Sequence, residues 1–475
     1  MNSPQIKLAD PQINAQDPWS DDALERKFCA ETLTKFLENQ TAALTIGVNG
    51  AWGTGKTFFL RRWEESLKKD GYEVVYFNAW KDDCLEDPLI AIVGQLWKKL
   101  KGGTFKEVCD SLKSAAVPVL SKVGIGMLNR GMEFISGVSV DGINKEWLQT
   151  GSESAFDQYV SLTDAREDFR ARLQRLADKV FSKTRRKPLI YIVDELDRCR
   201  PDFAIKVLER IKHLFDIDHV IFVLGIDREQ LGHVIQSVYG NIDVENYLHR
   251  FIDFDVHLPH ANQDRFFYKL WEKYKLPEHL TPKANSYPAG LYGDVREGQV
   301  FYSLMADSLK SLSFSLREIE HCLKLYTLIM RMTAPHIRTW PQLVVPLIIV
   351  KLKNSSLYRR WIDGNTTPDE IADWLFSSIN QEKSRGIILI LLAAIYASFK
   401  WAFPGSGVSE TPVVRAIKDG KSIRDMPGVA NIIKKFSDND LNELSSYIQS
   451  AEGICRESLI ELSRRMDLIS SRSVS

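Results

Sequence analysis

Eight residues, Gly50–Thr57, constrain this chain more than any other stretch. They read G-A-W-G-T-G-K-T and match the pattern G-x-x-x-x-G-K-[ST]. An apolar, β-forming run, "ALTIGVN" (43–49), precedes them. A helical pattern, "TFFLRRWEESLKKDG", follows, with Phe59, Leu60, Trp63 and Leu67 on one face. Strand, glycine-bearing loop and helix start, in that order, build an anion site. Backbone N–H groups of the loop and of the first helical turn converge on phosphate oxygens, and the helix dipole adds to them. Gly50, Gly53 and Gly55 allow a tight turn and close approach. Ala51, Trp52 and Thr54 fill the variable positions, where backbone rather than side chain meets phosphate. Lys56 is expected to reach the β- and γ-phosphate oxygens and Thr57 to place its hydroxyl on Mg²⁺, with Phe58 next in the first helical turn. The bulky Trp52 side chain is free to point into packing, toward a base or ribose, or at a neighbouring subunit. Packing or a subunit contact is the favoured expectation.

Four more strand patterns follow, each separated from the next by helical periodicity. They are "YEVVYFNAW" (72–80), "PLIYIVDEL" (188–196), "HVIFVLGID" (219–227) and "RFIDFDVHLP" (250–259). The third strand of the series of five, at 188–196, is a continuous apolar run, as expected of a strand covered on both faces. Strands alternating with helices predict an α/β core with a mainly parallel five-stranded sheet. The expected organisation is a polar N-terminal segment (1–19), this core (20–260), a helical lid (261–335) and a helical C-terminal domain (336–475). Residues 101–150 read as an irregular insertion in the core. A long amphipathic helix is expected from Ser154 to Ser182.

The segment "LIYIVDELDR" supplies the partner that the phosphate loop needs. A carboxylate at the end of a buried strand beside the loop holds the Mg²⁺ shell, and Asp194 has that position. Glu195 follows it and is the candidate general base that polarises water. Asp197 and Arg198 add a further carboxylate and a cation at the mouth. Asp227 ends the next strand, where it can sense the γ-phosphate, orient water or cap the helix after it. Arg250 can act as an arginine finger on a neighbouring subunit's phosphate or sit in a surface salt bridge. Arg317, at a helix start in "SFSLREIEHCL", can touch the γ-phosphate from the lid.

Other classes fit less well. The 62 basic and 62 acidic residues balance, so there is no strong nucleic-acid signal, and no aromatic-basic stripe supports a nucleic-acid motor. The six cysteines form no C-x-x-C pair, which argues against a zinc or disulfide framework and fits a cytoplasmic protein. The apolar run at 386–399 is shorter than the roughly 20 residues a spanning helix needs, so membrane association is not expected. A buried helix is expected there. The cations of "SKTRRKP" (182–188) lie at the strand end away from the nucleotide edge and read as a solvated run.

Taken in order, "GVNGAWGTGKT", "YFNAW", "YIVDELDRCRPDFAIKVLERIKHLFD", "VIFVLGIDREQL" and "YLHRFIDFDVHLP" resemble the KAP family of P-loop NTPases. The resemblance covers about residues 20–335, and Leu316-Arg317-Glu318-Ile319 resembles that family's arginine-bearing lid segment. It implies a sheet in which the Asp227 strand lies between the Asp194 strand and the phosphate-loop strand. It implies hydrolysis of ATP or GTP and a part in a multi-protein system such as phage defence; ATP is the expected substrate. Membrane helices often sit in the family where Lys101–Thr150 lies here; this stretch is too broken to span.

The expected protein is therefore a Mg²⁺-dependent NTPase that oligomerises on binding nucleotide and works with protein partners. The alternatives are a nucleotide-gated scaffold with negligible turnover, a nucleic-acid motor, and a kinase with an acceptor pocket.

Overall fold

The computed structural model describes residues 13–38, 40–123, 152–259, 261–274, 276, 297–312, 314–332, 341–377, 391–396 and the single positions 388, 437, 444 and 466. The chain divides into two compact units, Gln12–His260 and Ala261–Ser475.

The first unit is built on five parallel strands: β1 (Leu44–Asn49), β2 (Val74–Asn78), β3 (Leu189–Asp194), β4 (Val220–Ile226) and β5 (Phe254–His257). Their order is β2-β3-β4-β1-β5. The strand that ends in Asp194 is thus separated from the loop strand by β4, as the family resemblance implies. Because every pair is parallel, all five strands end on one edge. That edge gathers Asn78, Asp194, Ile226, Asn49 and His257.

Alternate residues of each strand feed two separate apolar layers. Ile46, Val48, Val74, Ile190, Ile192, Ile221 and Val223 pack with helices α1 (Lys27–Leu37) and α2 (Lys56–Lys69). Val75, Phe77, Tyr191, Val193, Phe222 and Leu224 face the other layer. That layer holds α3 (Pro88–Leu100), α4 (Lys106–Val123), α5 (Ser152–Lys183), α6 (Pro201–Arg210), α7 (Arg228–Tyr239) and α8 (Val244–Leu248). Burial on both faces explains why β3 and β4 read as unbroken apolar runs rather than alternating ones.

Three sequence expectations change. The stretch 106–123, expected as irregular insertion, is the helix α4, with Cys109, Leu112, Ala115, Ala116 and Val119 buried. Residues 124–150 of that insertion lie outside the described residues. The fifth strand begins at Phe254, not Arg250, because Leu248–Ile252 closes α8 through turn hydrogen bonds first. The near-helical spacing of Leu24, Phe28, Leu33 and Phe36 in the sequence predicts a helix before the first strand; in α1 Phe28 is nevertheless 79% exposed, and Ala30, Leu33 and Leu37 make the buried face.

The second unit is helical in its described parts: α9 (Gln263–Lys273), α10 (Glu297–Ser311), α11 (Leu316–Met332), α12 (Pro341–Lys353), α13 (Ser355–Ile362) and α14 (Pro368–Phe376). Trp271, Phe301 and Tyr326 stack at its centre. Residues 391–396 are helical and buried; the remainder of the 386–399 run, apart from 388, lies outside the described residues, as do the loop at 283–294 and most of the C-terminal domain beyond 377. Among the described residues no helix is long and apolar enough to cross a membrane.

Candidate active site

The phosphate loop runs from the end of β1 to the first turn of α2. Gly53 and Gly55 have φ of 82° and 90°, a region open to glycine but strained for other residues. Gly55 immediately precedes α2, so the loop delivers the backbone N–H groups of Lys56, Thr57 and Phe58 at the helix start, where no intrahelical acceptor exists for them. Lys56 is buried and its ammonium donates to the Gly50 carbonyl across the loop. Burial pulls the Lys56 pKa down; the Asp197, Asp227 and Asp194 carboxylates pull it back up.

Asp194 is 1% exposed at the end of β3. The Tyr76 hydroxyl donates to its Oδ2 at 2.6 Å and the Glu195 N–H to its Oδ1 at 2.9 Å. The Thr57 side chain also favours its charged form. Burial raises the Asp194 pKa, and these hydrogen bonds pull it back down. Gly225 of β4 sits in register with Asp194. A Cβ there would lie 2.4 Å from Leu60 Cδ1 and 2.9 Å from Asp194 Oδ1, so the carboxylate occupies space that glycine leaves.

Glu195 adopts a left-handed backbone, φ 61°, which turns it out of the strand. Its Oε2 accepts from Asn78 Nδ2 at 2.8 Å, and Arg198 Nη1 lies 3.0 Å from its Oε1. Asp197 is buried; its Oδ2 accepts the Trp52 indole N–H, and its Oδ1 has no partner. Asp227 takes the capping place among its sequence alternatives and also meets the phosphate loop. Its Oδ1 caps α7 through Gln230 N, and its Oδ2 accepts the Trp52 N–H of the phosphate loop at 2.9 Å.

Trp52 therefore neither packs in the core nor stands free. Its indole is 45% exposed yet bonded to Asp197, and with its backbone it ties the loop to the ends of both β3 and β4. Arg250 stays apart from this group. It is exposed in the turn before β5, at the strand end opposite the phosphate loop. Arg317 is exposed in the first turn of α11, in the second unit.

Several residues of the site escape sequence reasoning. Tyr76 and Asn78 belong to the "YFNAW" segment, where aromatic and amide side chains carry no mark of their role. Arg26 is buried before α1, and its guanidinium donates to the carbonyls of Gly55 (3.2 Å) and Pro259 (3.1 Å), bracing the loop from outside. Desolvation lowers its pKa to about 10. Asp22 orders this approach by accepting from the N–H groups of Arg26 and Lys27. Trp19, counted above with the polar segment, is buried, and its indole donates to Ser66 of α2. A cleft of ≈ 570 Å³ opens on the β5 side, lined by Asn49, Arg228, His233, Glu245, Asp255 and His257. It holds none of the carboxylates or loop amides just described.

A hard, oxygen-liganded cation fits the Thr57–Asp194 pair. Among the described residues there is no cluster of three or more His, Cys, Asp or Glu side chains able to hold a metal. Mg²⁺ needs none, because it keeps several waters and takes most remaining ligands from the substrate's phosphates.

A family model for the KAP family P-loop domain matches residues 26–339, well over half of the chain. The chain belongs to the KAP family of P-loop NTPases. A curated relative, the phage T7 exclusion protein of Escherichia coli K12, is 25% identical over 241 residues. That match takes in 46% of this chain and 30% of the relative, so the chain spans under a third of the relative's length. Among solved structures, the Aeropyrum pernix ORC2 protein in its ADPNP–ADP complexes is 14% identical over 94% of this chain and 86% of that one, with a TM-score of 0.30. A DNA replication initiation factor is 13% identical over 94% of this chain and 100% of that one, with a TM-score of 0.31. Likeness at these scores carries no functional weight; membership of the KAP family rests on the family model.

Proposed function

We propose that this KAP-family chain is a Mg²⁺-dependent nucleoside triphosphatase, with ATP preferred to GTP, that acts as a nucleotide-driven switch among protein partners. The observation that carries this reading is the meeting of the phosphate loop with the acids that follow β3 and β4: the Trp52 indole and backbone N–H donate to Asp197 and Asp227, beside buried Asp194. In this reading Gly50–Phe58 hold the phosphates through backbone N–H groups, and Lys56 leaves the Gly50 carbonyl for the β- and γ-oxygens. Thr57 and Asp194 hold Mg²⁺, which when bound neutralises charge on those oxygens. Glu195 accepts a proton from water as the water oxygen bonds to the γ-phosphorus. The bond from that phosphorus to the bridging oxygen breaks, leaving nucleoside diphosphate and phosphate. Asp227 joins the loop to the γ-phosphate end.

The wider setting is also proposed. The lid (261–335) and the C-terminal domain would carry the response to nucleotide, with Arg317 on the lid. Oligomerisation on nucleotide binding would let exposed Arg250 serve a neighbour's phosphates. The phage-exclusion relative supports a place in antiviral defence, and the family and composition support a cytoplasmic one.

Two substitutions test the chemistry. Lys56→Ala is expected to weaken nucleotide binding by at least about tenfold, the loss of one charge-assisted contact. Glu195→Gln is expected to bind nucleotide like wild type and to lose turnover by about 100-fold or more. Wild-type turnover in Glu195→Gln would remove the base assignment. One observation favours the scaffold reading instead: both Glu195 carboxylate oxygens already have protein partners, Asn78 and Arg198. Negligible hydrolysis by the wild-type chain, with nucleotide-dependent assembly, would establish it.

A further inference from the structure

We infer that Arg198 is a positioning residue that parks Glu195, and that turnover requires it to let go. The inference rests on the reading of Glu195 as general base.

A base must turn a lone pair toward water, and Glu195 has both carboxylate oxygens engaged. Asn78 donates to Oε2 at 2.8 Å and the Arg198 guanidinium lies 3.0 Å from Oε1. The two partners differ in kind. Asn78 ends β2 and is fixed by the sheet, in register with Asp194. Arg198 sits in a short helical turn three residues beyond Glu195, with its side chain partly exposed. Releasing Arg198 opens Oε1 while Asn78 still orients the carboxylate.

What holds Arg198 is visible around it. Its guanidinium carbon lies 5.5 Å from the centre of the Trp80 ring and 6.0 Å from that of Trp52, both within cation–π range. Trp80 follows β2 and is 50% exposed. Trp52 belongs to the phosphate loop, and its indole is bonded to Asp197, the residue next to Arg198. The parked state is thereby tied to the loop. Any movement of the loop's first half carries the Trp52 ring, and with it one wall of the Arg198 site. Arg198 also adds its positive charge to the surroundings of Lys56, so the same side chain touches the field of both the phosphate-binding cation and the base.

The test is steady-state Mg²⁺-ATP turnover by the full chain and its variants. Arg198→Ala is expected to raise kcat about fivefold, the rate equivalent of breaking one partly exposed ion pair, with KM changed by less than about twofold. Arg198→Lys keeps a cation without the planar fork and should fall between the two. The double variant Glu195→Gln/Arg198→Ala should be as inactive as Glu195→Gln, because the gain passes through the base. A merely structural Arg198 would lower kcat and raise KM together, and that result overturns the inference while an inactive Glu195→Gln leaves the base reading standing. Wild-type turnover in Glu195→Gln overturns both. If thermal melting shows Arg198→Ala to be unfolded, Trp80→Leu decides. It removes one ring from around Arg198 without touching Glu195, so kcat should rise; an unchanged or lower kcat refutes the latch.

Discussion

Gly225→Ala and Gly94→Ala add the same methyl group and should shift stability in opposite directions. Gly225 lies in β4 between Val48 of β1 and Asp194 of β3. Its new Cβ would come within 2.4 Å of Leu60 Cδ1 and 2.9 Å of Asp194 Oδ1. Leu60 is fully buried on the loop helix, so it has little room to retreat. Overpacking of that kind costs about 1–3 kcal/mol, and the reduced freedom of the unfolded chain returns about 0.4–1 kcal/mol, for a net loss of about 1–2 kcal/mol. Gly94 sits mid-way along α3 with nothing within 4 Å of its would-be Cβ. There alanine should stabilise by about 1 kcal/mol. Urea unfolding of the two variants beside wild type measures both numbers. A second readout follows the carboxylate: displacing Asp194 should cut the Mg²⁺-dependent part of nucleotide affinity by about tenfold and leave the Mg²⁺-independent part alone. Fluorescent-nucleotide titration with Mg²⁺ and with chelator separates the two. If both variants stabilise the fold, or Gly225→Ala keeps its Mg²⁺ response, glycine is not at 225 to make room for Asp194.

Three further predictions concern charge and capping. Burial raises Asp194 above the usual 3.8, so its ionised form is disfavoured by folding once the pH exceeds its folded pKa. Asp194→Asn should therefore raise the melting temperature at neutral pH while abolishing Mg²⁺-dependent nucleotide binding; a lower melting temperature would show that the hydrogen bonds from Tyr76 and Glu195 outweigh the desolvation. In the second unit, Ser315 and Glu318 form a reciprocal cap at the start of α11, with Ser315 N donating to Glu318 at 2.7 Å and Glu318 N to Ser315 at 3.2 Å. Ser315→Ala should cost about 1 kcal/mol in urea unfolding. Burial alone would raise the Glu318 pKa, but Lys353 and Ser315 hold it below the usual 4.5. Its stabilisation is present above that pH and lost as the pH falls through the lowered value, so Glu318→Gln should flatten the acid limb of stability against pH.

Much of the site is legible in sequence because its chemistry is local. A phosphate loop works through backbone N–H groups between a strand and a helix, and both flanks announce themselves by periodicity. Asp194 and Glu195 are legible for the same reason, as acids ending an unbroken apolar strand. Tyr76 and Asn78 are not, since their partners stand 118 and 117 residues away and meet them only because β2 lies beside β3. The strand pattern at 250–259 misplaces Arg250, because Phe251 and Ile252 are as apolar as strand residues but are buried in the turn that closes α8.

Sequence alone determined that this chain carries a phosphate loop, a buried carboxylate at a strand end and an acid beside it, set in a parallel α/β core. Local backbone geometry and strand burial are written in neighbouring residues. Tertiary structure alone decided what Trp52 is for and what surrounds Glu195. The Trp52 indole reaches Asp197 across 145 residues of chain, and Glu195 lies between Asn78 of β2 and Arg198. The Arg198 contact is local, three residues along one turn, but the Trp52–Asp197 and Asn78–Glu195 contacts follow from the parallel sheet, which brings the ends of β1, β2, β3 and β4 to one edge, and no local pattern of residues specifies that arrangement.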